Sequence, residues 1–410
     1  MLLNGTQALN TPFRLQPLQV EALTMLRRGT QVSRTDLANA TGYSRSTITA
    51  VTNELIELGI IEETGDGESS GGRRPRVLRF RPDFGYVVGI DVGATGFDLA
   101  VADFTGAILE RDTCAIDVRE GPEPVLALIR NNLLSKLTAC GLSHDKVYAI
   151  GIGVPGPVDF AAGMLIAPPI MPGGWDGYPI RKFFNAPFPN AVVIVDNDVN
   201  VMALGELRGG AGIHHRHFIF VKVGTGIGAG IVCNGVIHRG ADGCAGDIGH
   251  ICVDQDGPVC HCGNVGCLEA IAAGPAIAAR GLEAAHSNRS AVLARYAAAQ
   301  DGKLTAIDIG RAAAEGDAAA NEIIQDSGRN IGEVLATLVN FFNPSLILIG
   351  GGVSAIGHQF LAAIRRGILH RSLPLATRHL RIDISPMGVN AGIVGALALA
   401  MEHVFTVDDR

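Results

Sequence analysis

The chain has 410 residues, 47% of them hydrophobic, with 33 Lys+Arg against 40 Asp+Glu; this is too long for one core and too apolar for a disordered chain. A formal net charge of −7 excludes a surface that is basic all round and confines any nucleic-acid contact to one part of the protein. The N-terminus lacks the basic and apolar runs of a secretory signal, and the longest apolar stretch, "AGIVGALALAM", is too short to span a bilayer. A cytoplasmic protein without membrane contact is expected, in which clustered cysteines bind metal more often than they form disulfides.

Charge is unevenly spread. Residues 1–82 carry 10 Arg and 8 Asp+Glu, whereas the remainder carries 23 basic and 32 acidic residues. Five of those arginines, Arg73, Arg74, Arg76, Arg79 and Arg81, fall within nine residues. Contact with nucleic acid is therefore expected from this N-terminal head alone.

In the head, "LQVEALTMLRRG" (18–29) reads as a first amphipathic helix and "SRTDLANATG" (33–42) as a second, with Ser33 as N-cap and Gly42 as turn. A third follows in "YSRSTITAVTNELIELGII" (43–61), capped by Ser44 and stopped at Gly59, with Ile48, Val51, Leu55 and Leu58 at helical spacing. Helix, glycine turn and helix make the helix-turn-helix pattern. Its second helix offers Ser44, Arg45, Ser46, Thr47 and Thr49 to the major groove of double-stranded DNA. "IIEETGDGESSGGRRPRVLRF" then reads as a wing whose tip places Arg73 and Arg74 for the minor groove. Residues 1–82 are thus expected to form a winged helix-turn-helix domain.

After Pro82 the pattern changes. "YVVGIDVGATGFDLAVADFTGAILE" (86–110) is strand, glycine turn, strand, and a second turn into a third strand; "HFIFVKVGTGIGAGIVCNGVIHRG" (217–240) repeats that plan. Two halves of similar architecture closing on one ligand are expected. Backbone N–H groups of the turns, with Thr95 and Thr225, suit phosphate oxygens. A third glycine run lies in "SLILIGGGVSAIG" (345–357), where Gly350, Gly352 and Ala355 fit a dinucleotide fingerprint. The acidic residue that fingerprint needs about twenty positions on is missing, the first being Asp383, so no nicotinamide site is expected.

"VVIVDNDVNVMALGE" (192–206) is an apolar strand ending in Asp196-Asn197-Asp198, followed by a helical stretch. A carboxylate at the C-terminal end of a strand lies where α/β proteins bind ligands. Asp198 there serves either as general base toward a substrate hydroxyl or as N-cap of the following helix.

Four cysteines crowd "GDIGHICVDQDGPVCHCGNVGCLEA" (246–270). Cys260, Cys262 and Cys267 with His250 make a Cys3His set, one of zinc's usual structural donor sets. Cys244, Cys252 and His261 stand nearby as spare donors. A redox pair is not expected, because the cluster holds no C-x-x-C.

"GDIGH" together with "CHCGNVGCLE" resembles the signature of the ROK family, and the resemblance extends over about residues 83–405. The helix-turn-helix is similar to that of the family's repressor branch. The resemblance implies an actin/hexokinase-like fold of two α/β lobes: a small lobe, 83–195, completed by the C-terminal helix 392–405, and a large lobe, 196–391, with a zinc knuckle. It implies structural Zn2+ on His250, Cys260, Cys262 and Cys267. A sugar site is implied at Asn197, Asp198, Asp247, His250 and Glu269, with Asp198 as base in members that are kinases. Nucleotide-binding turns are implied at Asp91, Gly93, Thr95, Gly224, Thr225, Gly226, Gly350, Gly351 and Gly352.

Two residues depart from the family's pattern. Ala94 stands where a second glycine is usual, so a methyl faces any phosphate; Asp247 stands where Glu is common. The expected function is a sugar-responsive transcription regulator, a repressor released from its operator by a sugar or sugar phosphate and acting as a homodimer or higher homo-oligomer. The alternatives are an ATP/Mg2+-dependent sugar kinase and a metal-sensing repressor.

Overall fold

The computed structural model describes residues 12–28, 32–66, 76–171 and 174–407. Three helices fold in the described part of the head. Its helices run Pro17–Arg28, Arg34–Thr41 and Arg45–Glu57, the second closed by a capping box between Ser33 and Asp36 and by Gly42 in the left-handed region. Ile48, Val51 and Leu55 are buried on the third helix, but Leu58 is its exposed C-cap. The helical spacing that placed Leu58 inward stops one residue too early, because Gly59 at φ 73° turns the chain into the wing. Strands Val32–Ser33, Arg76–Phe80 and Ile61–Asp66 form the wing sheet. Arg73 and Arg74 lie outside the described residues.

The body is built twice. The small sheet takes the order Val192–Asn197, Val147–Val154, Tyr86–Val92, Gly96–Asp103, Ile108–Ala115. The large sheet takes the order Arg381–Ile384, Leu346–Gly350, Phe218–Val223, Ile227–Cys233, Val236–His238. In both, three consecutive strands make an antiparallel meander, and two later strands add in parallel beside the first.

Between the sheets lie two helices, Asp198–Gly209 on the large sheet and Asn390–Glu402 on the small one, packed against each other. Glycines allow the close approach: a Cβ on Gly151 would stand 2.2 Å from Ala396 O, on Gly230 2.6 Å from Val199 O, and on Gly205 2.2 Å from Ala391 O. Outer helices cover the far faces, Pro122–Ala139 on the small sheet and Ala318–Phe342 with His358–Arg371 on the large one.

The head is joined to this middle layer. Phe13–Leu15 pairs in parallel with Phe405–Val407, the strand that follows the Asn390–Glu402 helix. Around it Phe13, Phe80, Phe84, Phe104, Tyr148 and Phe405 stack with ring centroids 5.0 to 6.3 Å apart. Leu23, Leu37 and Ile48 of the head belong to the same apolar core as Ala396 and Leu399. No helix among the described residues is long and apolar enough to cross a membrane.

Candidate functional site

Between the lobes opens a cavity of about 560 Å³, within the range of small-molecule sites. Its floor comes from the Asn197–Asp198 corner. Asn197 caps the Asp198–Gly209 helix by accepting from Val199 and Asn200 N–H, and its amide donates to Gly156 O at 2.9 Å. The N-cap is therefore Asn197. Asp198, the first helical residue, is left to point its carboxylate at the cavity.

That carboxylate is buried and paired with the ammonium of Lys222, a cavity residue the motif reading passed over. Burial works to lower the Lys222 pKa, but the charges of Asp198 and Asp91 outweigh it and raise it, so the ammonium stays charged. Asp91 lies beside the pair. Burial lifts its pKa to about 7, Lys222 opposing and Asp198 adding.

Across the cavity stand Asp247, His250 and Glu269. Burial raises the Asp247 pKa, with His250 opposing and Asp198 reinforcing the shift. Glu269 accepts from Ile227 N–H at 3.0 Å, and its carboxylate lies so near the glycine turn that a Cβ on Gly226 would stand 2.5 Å from Oε2. Gly93, Gly224, Thr225, Gly226 and Gly352 also line this cavity. Ala94 lines it too, with its methyl, and its φ is not in the left-handed region.

Other proposed nucleotide contacts lie elsewhere. Thr95 borders a neighbouring cavity of about 530 Å³ shared with Thr225, Glu269 and the knuckle residue His261. Gly350 and Gly351 do not border the main cavity. A Cβ on Gly350 would strike the Phe220 ring, and Gly351, at φ 82°, sits against Val223 O, so both glycines serve close packing at the strand end.

The metal donors converge. The ligand atoms of His250, Cys260, Cys262 and Cys267 all lie within 4.8 Å of one another, with His250 Nδ1 3.7 Å from Cys260 Sγ. Cys244 and Cys252 are exposed and stand outside this set. Gly263 and Gly266 turn the knuckle at positive φ, and a Cβ on Gly266 would overlap Asp254 O. Burial pushes the Cys267 thiol up to about 12 and raises Cys260, so a bound cation would have to displace protons. The donor chemistry and convergence fit a metal of zinc's type.

On the head, Ser44, Arg45, Ser46, Thr47 and Thr49 are all exposed, beside an exposed Tyr43. Ser44 caps the helix by accepting from Thr47 N–H at 3.1 Å. The wing's basic run is less free than its composition suggests. Arg76 pairs with Glu63, Arg79 with Glu62 and Arg81 with Asp83.

The pattern of the ROK family matches residues 87–403. The xylose repressor of Caldicellulosiruptor bescii is 31% identical over 376 residues, covering 92% of this chain and 93% of that protein. The glucokinase of Thermotoga maritima is 31% identical over 318 residues, covering 78% of this chain and 98% of that enzyme. Among solved structures, a ROK family transcriptional regulator described as a homologue of the Escherichia coli MLC protein superposes with a TM-score of 0.79 at 27% identity. It covers 94% of this chain and 96% of its own. Family pattern, identity and fold agree, and this chain belongs to the ROK family, with its mixed α/β, two-lobed, actin/hexokinase-like body.

Proposed function

We propose that this chain is a sugar-responsive repressor of transcription, which holds a DNA operator with its head and releases it when a sugar or sugar derivative enters the cleft. The observation that carries the reading is that one chain joins an exposed Ser/Thr/Arg helix start to a carboxylate-lined interlobe cavity through a shared core, and a xylose repressor matches it along 92% of its length.

In this reading Ser44, Arg45, Ser46, Thr47 and Thr49 contact the major groove, and Arg73 and Arg74 the minor groove. A homodimer presents two heads to two half-sites. Asp198, Asp247 and Glu269 accept sugar hydroxyls, with His250 at their side and Asn197 fixing the corner. His250, Cys260, Cys262 and Cys267 would hold zinc, which when bound fixes the loop carrying His250 and leads into Glu269.

The response is a population shift. A sugar that prefers one lobe geometry moves the Asp198–Gly209 helix, which starts at the cleft floor. That helix packs along Asn390–Glu402, whose chain continues into the strand paired with the head. The test is to select operator DNA from a random library with the purified chain, then titrate sugars against the complex. Asp198→Asn is expected to keep DNA affinity and lose sugar-driven release; release that persists in the variant would overturn the assignment.

The cavity also extends past the glycine turns to Gly274, Pro275 and Leu304–Ile307, which favours a second reading as an ATP-dependent sugar kinase. There Asp91, Gly93, Thr95 and Gly224–Gly226 would meet the phosphates and Asp198 would act as general base. ADP release from ATP and Mg2+ in the presence of one sugar would establish it.

A further inference from the structure

The two halves carry opposite charges at one equivalent place. Asp91 and Lys222 each sit on the first strand of their sheet, two residues before the glycine turn. Asp91 pairs with Asp98 across the hairpin and with Gly153 on the parallel strand; Lys222 pairs with Gly228 and Gly350 in the same two directions. The turns differ by one residue, Gly93 N–H reaching Gly96 O at 2.8 Å and Gly224 N–H reaching Gly226 O at 2.9 Å. The duplication therefore brings an ammonium from the large sheet to face a carboxylate from the small one.

The groups that act on Asp198 come from three elements. Lys222 reaches it from the large sheet, Asp91 lies on the small sheet, and Asp247 with His250 lies on the turn Ile248–His250 and its cap. Two carboxylates, Asp198 and Asp91, thus share one lysine, and Asp247 adds a further negative charge near Asp198. The Asp198 side chain is only 4% exposed and that of Lys222 21%, so water screens the pair weakly. A buried carboxylate so placed is costly to leave unpaired, and the lysine is the cation that pairs it.

We propose that Lys222 is the positioning residue of the cleft: its ammonium fixes the buried Asp198 carboxylate as the acceptor for a sugar hydroxyl. This rests on the sugar-sensor reading and deepens it.

The test compares the full-length wild type with Lys222→Met, Lys222→Gln and Lys222→Arg by calorimetric titration with D-xylose, D-glucose and N-acetyl-D-glucosamine. Circular dichroism confirms that each variant is folded. For a sugar that binds the wild type, Lys222→Met and Lys222→Gln are expected to bind about tenfold more weakly, as the loss of one hydrogen bond to a charged group implies. Lys222→Arg, which keeps the positive charge, is expected to stay within about threefold of the wild type. Neutral variants that match the wild type, or a Lys222→Arg variant that binds as weakly as they do, overturn the positioning role. A wild type that binds none of the three sugars overturns the sensor reading for this panel and the proposal with it.

Discussion

The hairpins Tyr86–Asp103 and Phe218–Cys233 share a topology, their turns differing by one residue, yet they do different chemistry. The small-sheet hairpin brings Asp91 and an Ala-Thr turn. The large-sheet hairpin brings Lys222 and a Thr-Gly turn pressed against Glu269, with the cysteine knuckle behind it. A duplicated frame supplies two walls of the same shape. What the cleft can do depends on the few positions at which the copies differ, and those positions carry its charge.

The largest difference is the knuckle, which among the described residues only the large half possesses. Cys260→Ser removes one of four converging donors. Metal binding energy is folding energy for the loop it closes, so a loss on the order of 5 kcal/mol is expected in the large lobe. Thermal unfolding with metal analysis checks this, and a variant that keeps its stability while losing metal would turn the knuckle into a sensor. The same site is expected to release its metal as pH falls, because the buried Cys260 and Cys267 thiols take protons readily.

Asp91 tests the electrostatic side of the comparison. Its folded pKa, about 7, lies above the ordinary carboxylate value of 3.8, so the folded state binds a proton more tightly than the unfolded chain. The stabilising contribution is full below about pH 4 and is lost as pH rises toward 7. Asp91→Asn is expected to flatten that slope and to add about 1–2 kcal/mol near pH 8. Denaturant unfolding at pH 5 and pH 8 measures both, and an unchanged slope would show that Lys222 already holds Asp91 ionised.

Much of this was legible in the sequence, for local reasons. Ser33, Gly42 and Ser44 announce helix ends through their own backbone chemistry, and the Cys260/Cys262/Cys267 spacing announces a metal set without reference to the rest of the fold. Lys222 was not legible as a site residue. A lone lysine in "FVKVG" looks like an exposed strand position, and its partner Asp198 lies 24 residues earlier, on another element. The signal was present, since "GIDVGAT" and "FVKVGTG" align with Asp91 over Lys222. The tether of the head was hidden for a different reason. Phe13–Leu15 and Phe405–Val407 are three residues each, too short to show a period, and their pairing joins opposite ends of the chain. Composition also overstated the wing, because hairpin register places Glu62 opposite Arg79, which composition cannot see.

The smallest expected effects come from the turn glycines, and their asymmetry sharpens the comparison best. At Gly226 an added Cβ would stand 2.5 Å from Glu269 Oε2, so Gly226→Ala must displace that carboxylate and weaken its bond from Ile227 N–H. At Gly93 the nearest atom is Gly96 O at 3.3 Å, a contact that a few tenths of an ångström relieve. Neither glycine has positive φ, so the difference is steric contact rather than backbone strain. Gly226→Ala is expected to cost about 1–2 kcal/mol of sugar affinity, roughly tenfold, through the moved Glu269. Gly93→Ala is expected to stay within about twofold of the wild type, as substitutions free of such conflicts usually do. Calorimetric titration of both variants with the same sugar decides the matter. Equal losses would mean that the sugar touches both turns and that the small-sheet hairpin is more than a scaffold for Asp91; the expected inequality would place the sugar on the large half, against Glu269.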